Sequence, residues 1–410
     1  MIDHAYIRQL DGTLVSIVRD FLILGPLSWS LEAQREFLSS VEKGNPVLPK
    51  VTYPKKQYAE KIAALANFLA PLEQETHPAI VFIRENARSY LTAYRILEQV
   101  GTPAVTALSQ ELYGHPGDRL PHYDRSYLDI ASYFLNIAEQ YNIGEQEEVL
   151  PYSAEEFCEI LHDRAYDVVG SAAFKISFSV HPTITARASA GPDYVKIRAD
   201  ARFSDADVDQ LLHHEVAIHT LTYINGRAQP ILRSLGYSAP RTTATQEGLA
   251  TFAEYINYSI NITRLKRIAL RIIAVDKALA GADLIDLFRF FKEHGQDTEE
   301  AYYSSMRIFR GGTPQGGIVF LKDVVYLRGL FEIEAFLKQA LHRGNLREMD
   351  ILYAGKLTTD DAYSLSPLVE EGYIAVPSHL PHWMQQRDVL AAHLAINDLT
   401  ERFKVKGAPL

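Results

Sequence analysis

The 410-residue chain has a single cysteine, Cys158, so it can form no internal disulfide and build no Cys-rich zinc cluster. A cytoplasmic protein that folds without covalent staples is the expectation. Long apolar runs are missing too. Phe21-Leu22-Ile23-Leu24 and the stretch Ile268 to Val275 are short or broken by charge, well below the roughly 20 apolar residues a membrane-spanning helix needs. Met1 to Gln9 contains Asp3 and His4 and lacks a basic stretch followed by an apolar one, so no secretory signal is expected. Positive charge is not in excess: a net charge of −10 argues against general nucleic-acid binding through phosphates. There is no repeat or low-complexity tract. The one glycine-rich stretch, Gly311-Gly-Thr-Pro-Gln-Gly-Gly317, is not followed by the Gly-Lys-Ser/Thr of a phosphate-binding loop.

With 47% hydrophobic and 22% charged residues, the chain can bury a sizeable core, expected as two intimately packed parts with a soft boundary near 150. Residues 1 to about 110 read as helices, with apolar residues at three- and four-residue intervals in Tyr58 to Leu69 and Ala79 to Val100, punctuated by Pro49, Pro54, Pro71 and Pro78. Gly144 to Val149 is an acidic segment suited to a linker. The period then changes to two. Ile176 to Val180 alternates, and Tyr194 to Phe203 places Val195, Ile197, Ala199, Ala201 and Phe203 opposite Lys196, Arg198, Asp200 and Arg202. Gly191-Pro192-Asp193 separates that run from Thr183 to Ser189, which predicts a strand hairpin over 183–203 leading directly into a helix. Helices dominate from Asp205 onward.

Ser204 with Asp207 three residues later has the spacing of a capping box, and apolar Leu211, Leu212, Val216 and Ile218 carry a helix over 205–224 to Asn225-Gly226. His214, Glu215 and His219 sit inside it. In the metallopeptidase motif His-Glu-x-x-His the histidines are four apart and reach one metal, while the Glu acts as general base. Here the spacing is five. On a regular helix that leaves the two rings about 140° apart, too divergent to share an ion. One turn widened to an i→i+5 register would bring them onto one face, and such a bulge is expected between them. A catalytic zinc needs a third protein ligand. Glu247 is the candidate, on a second helix over 244–260 opened by a Thr243–Gln246 capping box, with Glu254 two turns on as its competitor. The competing structural reading is a buried, hydrogen-bonded histidine pair.

On these residues the chain resembles the family named for its QEGLA motif, which includes bacterial members once linked to flavohemoglobin expression and is related to the microtubule-associated tyrosine carboxypeptidases. The resemblance covers most of the chain. It rests on His214-Glu-Val-Ala-Ile-His219, Asn225-Gly-Arg-Ala-Gln-Pro230, Gln246-Glu-Gly-Leu-Ala250, and Gly317-Ile-Val-Phe-Leu-Lys-Asp-Val-Val-Tyr-Leu-Arg-Gly329, in that order. It implies one zinc per chain held by His214, His219 and Glu247, Glu215 as the catalytic base, and removal of a C-terminal residue from a peptide or protein. No counterpart of the long disordered N-terminal extension of the eukaryotic members is expected, so microtubule binding is not carried over. The expected fold is therefore α+β and mostly helical: a helical part over 1–150, then a zincin-like metallopeptidase core over 151–410 with a small mixed or antiparallel sheet.

A carboxypeptidase must also recognise a terminal carboxylate, for which a guanidinium fork or a lysine is suited. Arg310, Lys322 and Arg328 flank the glycine-rich stretch and are the candidates, with Arg310 and Lys322 preferred. Tyr326 is the candidate donor to the tetrahedral intermediate. The hairpin offers an edge for an extended peptide, with Lys196, Arg198 and Arg202 on its polar face, although a solvated strand face explains these three as well. His213 should point about 100° from His214, away from the metal. His379, His382 and Trp383 are expected in a packed loop. Two alternatives stay open: a zinc-binding regulatory module without peptidase activity, and a zinc hydrolase of other specificity such as an aminopeptidase or amidase. Oligomeric state is not legible in the sequence.

Overall fold

The computed structural model describes residues 3–54, 57–120, 124–141, 149–182, 184, 187–191 and 193–400. The expected acidic linker and parts of the 183–193 stretch lie outside these residues. The apolar spacing near the N-terminus gives helices Ala59–Leu69 and Pro78–Glu98, the second started by His77, whose ring accepts the Ala79 N–H. Pro78 occupies a first-turn position where its missing N–H costs nothing.

Three strands form one mixed sheet in the order β1 (Ser177–His181), β3 (Tyr194–Arg198), β2 (Ala188–Ala190). β1 runs parallel to β3 with Ser177 opposite Tyr194, and β2 runs antiparallel with Ala188 opposite Ile197. The alternation is obeyed where pairing exists, since Val195 and Ile197 are fully buried. The strand expected to reach Phe203 stops at Arg198. There Arg198 turns to pair with Asp200 at 2.7 Å, while Phe203 leaves the sheet to stack on Phe157 at 3.9 Å and pair with Tyr152 in an isolated bridge. Burying that aromatic against a helix outweighs a longer pairing of the central strand. Of the expected first hairpin strand, Ala188–Ala190 pairs among the described residues.

Ser204 then caps the next helix, its capping box with Asp207 formed in both directions. The histidine helix comprises Asp205–Leu211, a widened i→i+5 segment Leu212–Thr220, and Leu221–Arg227. The glutamate helix, Thr243–Ile256, starts differently from expectation. A tight turn at Pro240–Thr242 feeds directly into it, Thr243 Oγ bonds back to the Pro240 carbonyl at 2.7 Å, and Gln246 is used elsewhere, so no capping box forms. A third helix, Val325–His342, crosses it backbone to backbone. A Cβ on Gly248 would overlap the Gly329 backbone, and one on Gly329 would overlap the Ala244 carbonyl and Gly248, so only glycine permits this approach. The main apolar core runs from Ile7 to Leu394 and contains Ile197, Val216, Leu249 and Leu327 from the sheet and the three site helices. A smaller cluster surrounds Phe37, Phe291 and Tyr302. Among the described residues, no helix is long and apolar enough to cross a membrane.

Candidate active site

The widened segment does what the five-residue spacing requires: it turns His214 and His219 to one side, their ring centroids 5.2 Å apart. Glu247 reaches them from the glutamate helix, with Oε2 3.5 Å from His214 Nε2 and 3.8 Å from His219 Nε2. Zinc bonds of about 2.1 Å at tetrahedral angles separate neighbouring ligand atoms by about 3.4 Å, so these separations suit a single small divalent ion. Among the described residues these three are the group whose ligand atoms converge, all within 4.8 Å.

Two of the three candidate ligands, His214 and Glu247, are held from behind. His214 Nδ1 lies 2.6 Å from Glu254 Oε1, which assigns the ring proton to Nδ1 and leaves the Nε2 lone pair facing Glu247. Glu254 is fully buried, and Arg264 holds it through Nε and Nη2, each at 3.1 Å. The competing ligand candidate therefore orients the first histidine instead. Lys322 Nζ donates to Glu247 Oε1 at 3.0 Å on the side away from the histidines. Burial opposes the Glu247 charge, but Lys322 and the two histidines hold its carboxyl well below the usual carboxylate range. At His214 burial disfavours the charged ring, and Glu247 and Glu254 more than offset this, raising its pKa to about 10.

Glu215 sits between the two histidines, half-buried and with no hydrogen-bond partner among the described residues. Tyr326, at the start of the crossing helix, lies near Glu247 with Lys322 and Arg271 on its ring at 5.5 and 5.7 Å. Around it gather Arg271, Arg307, Arg310 and Asp323. Arg307 takes Asp323 at 2.7 Å, while the Nε atoms of Arg271 and Arg310 are buried without partners. Burial and Arg307 push Arg310 down to about 10, which still leaves it charged at neutral pH.

The remaining sequence candidates lie elsewhere. Arg328 pairs with Glu332 at 2.7 Å and leans on Gly114 beside Asp118; two positions past Tyr326, it is about 200° round the helix. Arg198 pairs with Asp200 at the strand end. Lys196 lies over the Tyr194 ring, and Arg202 donates to the Leu150 and Pro151 carbonyls. His213 is half-buried, and burial lowers its pKa. The His379 backbone is held by both polar atoms of the Asn225 side chain, whereas His382 and the buried Trp383, expected in the same loop, stand in a short helix, His382–Gln385. Sequence reasoning missed Arg264, Arg271, Arg307 and Lys356. Arg264 and Arg271 stand two turns apart on one face of Ile262–Leu279, a spacing readable as a pair of neighbours but not as neighbours of this site.

A histidine pair on a widened helix, a carboxylate from the glutamate helix and a glutamate without a partner among the described residues form a candidate site of hydrolase type. The model of the microtubule-associated tyrosine carboxypeptidase family matches residues 35–401, and the chain belongs to that family. Membership implies a carboxypeptidase-like hydrolase with a protein or peptide substrate. Comparison with individually curated proteins gave no match.

Proposed function

We propose that the protein is a zinc-dependent carboxypeptidase with a zincin-like core, working in the cytoplasm and removing one residue from a free C-terminus. The convergence of His214, His219 and Glu247 beside the unpaired Glu215 is the observation that carries this reading. Zinc, when bound, supplies Lewis acidity to the scissile carbonyl and lowers the pKa of the attacking water. Glu215 accepts the proton of that water as its oxygen attacks the carbonyl carbon. It then passes the proton to the amine nitrogen as the C–N bond breaks, leaving a new carboxylate and a free amino acid. Tyr326 donates to the oxygen that becomes negative in the tetrahedral intermediate. Lys322 keeps Glu247 ionised and aimed at the histidines. Its hydrogen bond to that carboxylate makes it a weaker choice for the substrate terminus than Arg310.

The terminal carboxylate is assigned to Arg310 together with Arg271, because each has an Nε without an acceptor and neither has a carboxylate within ion-pair distance among the described residues. Tyrosine, the residue in the family's description, is the first C-terminal residue to test. Matched peptides ending in a free or an amidated tyrosine, followed by mass spectrometry, separate the readings. Loss of one residue from the free-acid peptide alone supports a carboxypeptidase. Equal cleavage of both, or trimming from the amino end, contradicts it.

A further inference from the structure

One buried charge has no role in this mechanism. Lys356 is 7% exposed, and its backbone is fixed by a 2.7 Å hydrogen bond to the Leu235 carbonyl. The preceding Gly355 packs so closely on Leu235 that a Cβ there would come within 2.5 Å of the Leu235 Cβ. The chain is thus pressed inward and the lysine directed into the core. Its ammonium makes one hydrogen bond, to Gln246 Oε1 at 3.3 Å, and no carboxylate lies within ion-pair distance among the described residues. The same Gln246 oxygen is 2.9 Å from Thr222 Oγ, whose single proton is shared between that oxygen and the Ile218 carbonyl, 2.7 Å away in the widened segment. Gln246 Nε2 has no partner.

A buried ammonium without a counter-ion costs several kcal/mol relative to an apolar side chain of the same length, so fold stability does not account for Lys356. Burial lowers the Lys356 pKa to about 8, and Glu247 and Glu215, the proposed ligand and base, are the charges that oppose this and favour its ammonium. We infer that Lys356 is a positioning residue of the active site: through Gln246 and Thr222 it locks the glutamate helix to the widened histidine segment, and its charge offsets that of Glu215 and Glu247. This rests on the hydrolase reading above. The row Ile218–Thr222–Gln246–Lys356 ties the turn ending in His219 to the residue preceding Glu247, so the third ligand keeps its register on the histidines. Lys322 bonds Glu247 directly, whereas Lys356 acts one residue away.

The test uses the full chain, zinc and a peptide that the wild type trims, with Lys356→Met and Gln246→Glu as variants. Lys356→Met is expected to melt no lower than the wild type, yet to lose about tenfold or more in kcat with KM changed less than about twofold, and to hold zinc more weakly in a chelator competition. Gln246→Glu gives the lysine a carboxylate partner. It is expected to melt higher and still lose kcat, an outcome that a purely structural lysine does not produce. Wild-type kcat and zinc affinity in Lys356→Met, or wild-type kcat in Gln246→Glu, overturns the inference. A wild type that binds no zinc and trims no peptide overturns the hydrolase reading itself, before any variant is compared.

Discussion

Glu254→Gln isolates the groups behind the metal-ligand candidates. The glutamate is fully buried between His214 Nδ1 at 2.6 Å and Arg264 at 3.1 Å. Glutamine keeps an acceptor for the ring proton but removes the negative charge, leaving Arg264 buried without a counter-ion and His214 less basic. Loss of a partner behind a ligating histidine lowers metal affinity by about 10–100-fold, or about 1.4–2.7 kcal/mol. The orphaned Arg264 adds about 3–5 kcal/mol of destabilisation. Spread over an unfolding entropy of about 2.1 cal/mol/K per residue, that lowers the melting temperature by about 4–6 °C. Zinc affinity is measured by competition with a chromophoric chelator, and stability by calorimetry of the metal-free protein. If zinc affinity stays within about twofold of wild type while the metal-free protein is destabilised, Glu254 serves only the fold and its role in orienting His214 is refuted.

Gly248→Ala places a methyl group inside the Gly329 backbone, and about 3 kcal/mol or more should be lost, seen as a lower urea midpoint or as insoluble protein. Arg310→Ala should raise KM about 10–100-fold for free-acid peptides while zinc content stays unchanged, as steady-state kinetics and metal analysis would show. Asp11 in the first helix accepts the Ser234 N–H, and burial pushes its carboxyl up to about 6. A folded-state pKa above the unfolded value means the folded protein binds the proton more tightly, so this contribution is full below about pH 4 and is lost as pH rises through 6. Urea titrations should show about 3 kcal/mol of such loss, absent in Asp11→Asn.

The sequence made the local features of the site legible and left their surroundings obscure. Ser204 and Asp207 announce a helix start, and five residues between histidines on that helix demand a widened turn; both follow from backbone geometry alone. Glu247 was within reach because it stands in a short motif. Glu254 and Arg264 are different, since the contact with His214 spans 40 positions and depends on how two helices cross. Gly248 and Gly329 could be read as members of motifs, but nothing in one dimension shows that they touch. Arg328 shows the limit of proximity arguments, because a shift of two residues along a helix carried it to the opposite side from Tyr326. The strand ends at Arg198 rather than 203 because Phe203, which fits the alternation, belongs to a helix contact.

The proposed chemistry is peptide hydrolysis with a metal held by His214, His219 and Glu247 and a proton carried by Glu215. Metal content and C-terminal trimming, measured together on the wild type and on Glu215→Gln, test it most directly. About one zinc per chain in both proteins, with trimming in the wild type and at least about a thousandfold less in the variant, is the predicted result. Zinc in neither protein, or equal trimming by both, would contradict it.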